Sequence, residues 1–283
     1  MTMRIRFWGV RGSIASPGPD TATVGGNTSC VEVCCDSTRI ILDAGTGLRK
    51  LGIEMMRGPD PRRASLLLSH LHWDHIQGIP FFAPAYVRSS ELTIYGHESS
   101  AASLQSALAK QMSSPVFPVE LDDLPATINL RPIRDGASVL IGSARVTARR
   151  LNHPGGVMGY RIDHGEHSVV YATDTEHYAC VDPVLRELAE GADILIYDAQ
   201  YTPEEYGGEV GPPRVGWGHS TFEAGARLAE EAGVRQLVLF HHDPMRDDDA
   251  VAALERRACA RFRNTIAARE SLVLEPADLA RAA

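Results

Sequence analysis

The stretch Leu66-Leu67-Leu68-Ser69-His70-Leu71-His72-Trp73-Asp74-His75 sets four potential metal ligands within six residues, just after an apolar run. Neutral imidazole is the commonest protein metal ligand, and carboxylates complete sites that histidines alone would leave cationic. A short apolar run reads as a buried strand. A strand ending in such a cluster delivers its side chains to the rim of a sheet, where open α/β architectures place their chemistry. The spacing separates two sets. His70 and His72 converge on one ion, while Asp74 and His75 turn towards a second. The alternative is a polar loop that is merely rich in histidine, and the residues downstream decide between the two.

Those residues repeat the pattern. Asp174 follows the β-type run Val169-Val170-Tyr171-Ala172, and His241 follows Leu237-Val238-Leu239-Phe240. His153 follows the alternating segment Val146 to Leu151. A single histidine at a strand end is ordinarily structural, but side chains from several strand ends can meet at one sheet edge and form a rigid site. Asp43, after Ile40-Ile41-Leu42, reads as a buried carboxylate that orients a ligand rather than as a ligand itself. His242 points away from His241 on an extended backbone and reads as structural. His219 lies in Trp217-Gly218-His219-Ser220-Thr221, where Ser220 or Thr221 can cap the following helix. That segment is either a capped loop or the seat of a histidine near the metals that is not a ligand. His97, His164, His167 and His177 have no ligand-like context and read as surface or loop residues.

Taken in order, these motifs resemble those of the metallo-β-lactamase superfamily. The His70-x-His72-x-Asp74-His75 cluster is similar to its signature, and Ile40 to Gly45 resembles its first motif. Asn152-His153-Pro154, Tyr171-Ala172-Thr173-Asp174-Thr175 and Leu239-Phe240-His241 resemble its third, fourth and fifth. The match runs from about residue 3 to residue 245. It implies an α/β fold of the αββα sandwich type, two mixed β-sheets flanked by helices. It also implies two divalent ions, Zn²⁺ by preference with Mn²⁺ or Fe allowed by ligand type. His70, His72 and His153 would hold the first, Asp74, His75 and His241 the second, and Asp174 would bridge them. His219 is similar to the non-ligating histidine of superfamily phosphodiesterases, including the ribonuclease Z type, where it stabilises or protonates the reacting phosphate. On that resemblance a hydroxide bridging the ions attacks phosphorus, with Asp74 orienting it and His219 as proton donor.

The interval between His153 and Asp174 is too short for the tRNA-grasping arm of ribonuclease Z. It resembles instead the cyclic phosphodiesterases, among them cyclic-nucleotide phosphodiesterases and anti-Pycsar proteins. The expectation is a small cyclic phosphodiester substrate, foremost a 3′,5′-cyclic nucleotide. A ribonuclease Z-like RNA or tRNA 3′ endonuclease and a lactonase-type hydrolase are the alternatives. The relatives also imply a homodimer.

At 283 residues with 44% hydrophobic content and no internal repeat, the chain reads as one domain over 1–283. No apolar stretch approaches the roughly eighteen residues of a membrane span, and the N-terminus reads as a strand without a secretory region. Five cysteines, an odd number with no C-x-x-C pair, suit a reduced cytoplasm. A net charge of −8 disfavours long nucleic acids as partners. Helical signals fall at 75–87, 98–110, 183–190, 222–232 and 247–263. Residues 112–125, with three prolines, offer a lid or a dimer contact. In the loop after the first strand, Arg11 is either a phosphate contact or part of a structural turn. The Gly/Pro-rich loop 201–218 carries Tyr201 and Trp217, which either stack on a base or pack internally.

Overall fold

The strands nearest the sheet centres are continuous apolar runs because both of their faces are covered. A computed structural model describes residues 1–58, 62–97 and 101–279; the first residues of the expected 98–110 helix and residues 280–283 of the expected domain lie outside these. In chain order β1 (Met3–Gly9), β2 (Cys30–Cys35), β3 (Thr38–Leu42), β4 (Arg63–Leu67), β5 (Glu91–His97) and β6 (Thr127–Ile133) form one sheet. A second sheet holds β7 (Ser138–Ile141), β8 (Ala144–Leu151), β9 (Val157–His164), β10 (His167–Ala172), β11 (Ile194–Asp198), β12 (Gln236–Phe240) and β13 (Thr265–Ala267). The short β14 (Val273–Leu274) closes the free edge of β1.

Both sheets are mixed, and they share a design. In the first, β1, β2 and β3 are antiparallel, then β3 to β6 run parallel. In the second, β7 to β10 are antiparallel, then β10 to β13 run parallel. Burial follows the pairing. The parallel strand β11 (ILIYD) is buried at every residue, whereas β8 alternates between buried and more exposed positions, as an antiparallel strand with one covered face should. Phe7, Val33, Leu42 and Leu67 of one sheet meet Val146, Tyr160, Ile196 and Phe240 of the other in the central core.

Helices cover the outer faces. α1 (Gly47–Met56) and α3 (Ala101–Gln111) lie over the first sheet with Leu66, Leu92 and Ile94. α4 (Pro183–Ala189), α6 (Phe222–Glu231) and α7 (Asp248–Arg261) cover the second. Their starts are chemically marked: the side chains of Asp182, Thr221 and Asp247 accept backbone N–H groups of Val184, Ala224 and Ala250. α2 (Trp73–Ile76) and α5 (Pro203–Gly207) are short turns beside the site described below. Among the described residues, no helix is long and apolar enough to cross a membrane.

Two expectations need correction. The helical signal over 75–87 resolves into α2 and two 3-10 turns at Ile79–Phe81 and Ala83–Tyr86. Gly78 ends α2 because the chain presses against the Ala44–Gly45 carbonyls, with 2.0 Å between an added Cβ and Gly45 O, and Pro80 and Pro84 cannot continue a helix. No element is expected over 47–56, yet α1 forms there, burying Leu48, Leu51 and Met55. Residues 112–125 pack on the first outer layer, with Phe117 edge-on to Phe81 at 5.6 Å.

Leu67→Ala, in the layer between the sheets, is expected to cost about 2–5 kcal/mol in urea unfolding. Leu140→Ala, at a 70%-exposed position on β7, should stay within about 0.5 kcal/mol of the parent.

Candidate metal centre

Parallel register brings strand ends side by side. Ala172, Tyr197 and Leu239 are in register across β10, β11 and β12, so Asp174, Asp198 and His241 emerge together at one edge. In the facing sheet Leu42 pairs with Leu67, which sets Asp43 beside Ser69 and His70. Asp43, Asp174 and His241 all take left-handed backbone conformations, with φ of 60°, 50° and 58°. Each turns the chain sharply where a strand stops, a geometry that Asp and His tolerate better than most side chains.

The structure brings all seven expected ligands to this edge. His153 Nε2 lies 3.2 Å from His72 Nδ1, and the His70 and His72 rings meet edge to face at 4.3 Å between centroids. His75 Nε2 lies 3.2 Å from Asp74 Oδ2, and His241 Nε2 lies 3.4 Å from the same oxygen. Asp174 stands between the two groups. Its Oδ1 is 3.3 Å from His75 and 3.2 Å from His241, and its Oδ2 is 3.8 Å from His70.

The hydrogen bonds behind the rings decide which nitrogens face inward. His75 Nδ1 meets Asp43 Oδ2 at 2.8 Å, His241 Nδ1 meets Gln200 Oε1 at 2.9 Å, and His153 Nδ1 meets the Gly218 carbonyl at 2.8 Å. His70 Nδ1 is engaged by Ser69 Oγ at 3.0 Å. An imidazole whose Nδ1–H donates presents the lone pair of Nε2. Nε2 of His70, His75 and His241 is buried and has no hydrogen-bond partner. Three such orphaned nitrogens, turned towards two carboxylates, would be costly in a metal-free fold and are what divalent cations would satisfy. The donor set therefore fits two ions.

Electrostatics agree. Burial, reinforced by neighbouring histidines, keeps His70 well below the usual imidazole range and also lowers His72 and His153. Burial opposes ionisation of Asp74 and Asp174, but the adjacent His75 and His241 outweigh it and hold both carboxyls below their ordinary range. Neutral imidazoles and ionised carboxylates are the forms that bind metal. His75 is the exception: burial would lower it, but Asp74, Asp174 and Asp43 raise it well above the imidazole range, so a metal there would displace a proton.

His219 sits at the centre's rim, its ring stacked on His241 at 5.0 Å and edge-on to His153 at 5.4 Å. Its Nδ1 lies 2.8 Å from Asp198 Oδ2. Burial works against its charge, but Asp198 and then Asp174 and Asp74 prevail and raise it to about 9. Behind it, Ser220 Oγ bonds the Tyr197 hydroxyl and His177 Nδ1. Gly218 precedes it at φ 86°, and a Cβ there would fall 2.3 Å from His153 Nδ1. Only glycine permits that approach.

Several expectations change. Arg11 is fully buried, its Nε and Nη1 donating to the carbonyls of Gly25, Asp243 and Arg246, so it ties loops together out of reach of a phosphate in the pocket. Tyr201 is 1% exposed, lies edge-on to His219 and is covered by Arg214 at 4.7 Å, which leaves no face for a base. Trp217 is 53% exposed at the rim. His164, at the end of β9, is buried against Asp36 and is neither a surface nor a loop residue, whereas His177 lies in a loop, half-buried behind His219. Asp43 and His242 are both fully buried, and His242 bonds the Ala268 carbonyl. Sequence reasoning gave no role to Asp198, Gln200 or Glu176. Glu176 accepts from Tyr206 Oη, Gly216 N and Gly218 N and so fixes the loop that carries His219. Asp198 carried the same signal as Asp43 and Asp174, an acid at the end of an apolar strand.

A family model described as a beta-lactamase superfamily domain matches residues 38–242. The uncharacterized protein ML1173 of Mycobacterium leprae is 32% identical over 252 residues, covering 86% of this chain and 79% of its own. Ribonuclease Z of Bacillus subtilis is 26% identical over 259 residues, covering 75% of this chain and 81% of its own. The metallo-beta-lactamase fold protein YhfI from Bacillus subtilis has a TM-score of 0.73 at 22% identity, over 97% of this chain and 99% of that one.

Asp43→Ala would strip acceptors from Ser69, His75 and Tyr171. Competitive metal titration should then show affinity lowered about 10–100-fold, and unchanged affinity would contradict the orienting role.

Proposed function

The chain belongs to the beta-lactamase superfamily, and from that premise we propose a dinuclear metal-dependent phosphodiesterase that hydrolyses a small cyclic phosphodiester, 3′,5′-cyclic nucleotides foremost. The observation that carries this reading is the buried His219–Asp198 pair beside Asp174 and His153. Both ester classes develop negative charge as the bond breaks. A phosphodiester, however, is already an anion when it binds, and a cationic imidazole at the rim suits that charge more than a neutral carboxyl derivative.

His70, His72 and His153 would hold one ion, Asp74, His75 and His241 the other, with Asp174 between them; imidazole and carboxylate together suit Zn²⁺. When bound, two divalent ions lower the pKa of water to about 7 and neutralise phosphate charge. The protein's own groups do the rest. Asp74 Oδ2 is fixed by the Ser13 N–H at 2.8 Å and, with Asp174, orients the attacking water by accepting hydrogen bonds from it. Asp198 keeps Nδ1–H of His219 engaged, so Nε2–H donates to the phosphate or the departing alkoxide. Trp217 has Arg214 over one face of its ring at 5.5 Å, and the exposed remainder of the ring offers a surface for the base.

A small substrate is supported by what lies between His153 and Asp174. That interval is β9, a tight turn at Gly165-Glu166 and β10, with no projecting arm to grasp a large RNA. The likeness to ribonuclease Z supports an RNA 3′ endonuclease as the second reading.

His219→Ala should lower turnover of cyclic AMP or cyclic GMP by about 10²–10⁴-fold with metal content unchanged. Asp198→Asn should lower it less, because the imidazole remains. A panel with a 2′,3′-cyclic nucleotide, a pre-tRNA and a lactone decides the class: cleavage of the pre-tRNA alone or the lactone alone contradicts the proposal.

A further inference from the structure

A cleft of about 920 Å³ opens at the amino ends of β4 and β5, roughly 20 Å along β4 from His70 by strand rise. It is the opposite end of the sandwich from the metal centre. Among the described residues, six arginines and three glutamates line it, a local positive surplus in a chain whose net charge is −8.

The surplus can be located. Arg39 pairs with Glu32 at 2.6 Å, Arg57 with Glu54 at 3.0 Å, and Arg63 makes a two-pronged contact with Glu91 at 2.8 and 3.2 Å. Glu32, opposite Arg6 across the β1–β2 ladder, also accepts from Trp8 Nε1 and the Cys34 thiol and is not within ion-pair distance of Arg6. Arg62 bonds the carbonyls of Met55 and Met56. Among the described residues, Arg4 and Arg6 have no carboxylate partner. Arg4 meets the Cys34 thiol, and the Arg6 guanidinium lies over the Trp8 ring at 4.0 Å with its Nε buried and without a hydrogen-bond partner.

Arg4 and Arg6 are two residues apart on β1 and point to the same face, so they stand roughly 7 Å apart. Two long arginine side chains rooted at that backbone spacing on one face can converge on two neighbouring phosphate groups, each of which can accept a bidentate pair of hydrogen bonds. A cavity of this size is in the range of small-molecule sites. We propose that this cleft is a second ligand site, for a small molecule bearing a diphosphate held by Arg4 and Arg6.

Trp8 makes the site observable. The chain has three tryptophans, so Trp73→Phe with Trp217→Phe leaves Trp8, beneath Arg6, as the sole tryptophan emitter. Pyrophosphate added to the metal-loaded protein should change Trp8 emission saturably, with a midpoint about tenfold below that of inorganic phosphate. Arg4→Gln, at an exposed position, should raise the pyrophosphate midpoint about tenfold, and Arg6→Gln at least as much. No saturable change, an equal response to citrate or to a chelator that only strips metal, or an unmoved midpoint in Arg4→Gln would overturn the proposal.

Discussion

Asp43 is the constraint on which the site depends. Its carboxylate, fully buried where β3 ends, accepts from Ser69 N, Ser69 Oγ, His75 Nδ1 and the Tyr171 hydroxyl, at 2.7 to 2.8 Å. Ser69 and His75 belong to the metal-binding loop after β4, whereas Tyr171 belongs to the opposite sheet. One side chain therefore sets the loop's path, fixes the face His75 presents, and pins the two sheets together beneath the centre. A buried charge is tolerated only when its lone pairs are satisfied, and here four donors converge. Tyr160 adds a second tie between the sheets, its hydroxyl donating to the Leu68 carbonyl at 2.6 Å.

Beyond that anchor, the centre is a consequence of how parallel strands stop. β10, β11 and β12 end in register and hand Asp174, Asp198 and His241 to the same edge. Two of the three residues sit in left-handed conformations that cost roughly 1–2 kcal/mol each for side chains other than glycine. The interactions around them hold that strain: Thr173 Oγ1 donates to Asp174, Gln200 holds His241, and the packed strands beneath leave little room to relax. Rigid strands place the candidate ligands, and the loop secured by Glu176 places the group that would move the proton.

Much of this was legible in the sequence because its signals were local. An apolar run followed by His70-x-His72-x-Asp74-His75 announces a strand and its terminal cluster together, and runs ending in Asp174 and His241 repeat the message. What escaped was tertiary. Asp198 has no meaning until His219, 21 residues further on and beyond a loop, folds back onto it. Arg11 stands in a glycine-rich loop that reads as exposed, yet loops from both ends of the chain enclose it. Gly47 and Gly52 dilute the periodicity of α1, and packing supplies what propensity lacks. The helical signal over 75–87 was misleading in the other direction, since its apolar residues are buried by turns around Pro80 and Pro84.

The most direct test of the central claim is anomalous diffraction from crystals of the metal-loaded protein. Two peaks about 3.5–4 Å apart, one among His70, His72 and His153, the other among Asp74, His75 and His241, with Asp174 between them, is the predicted result. A single peak, or peaks away from these side chains, would contradict it.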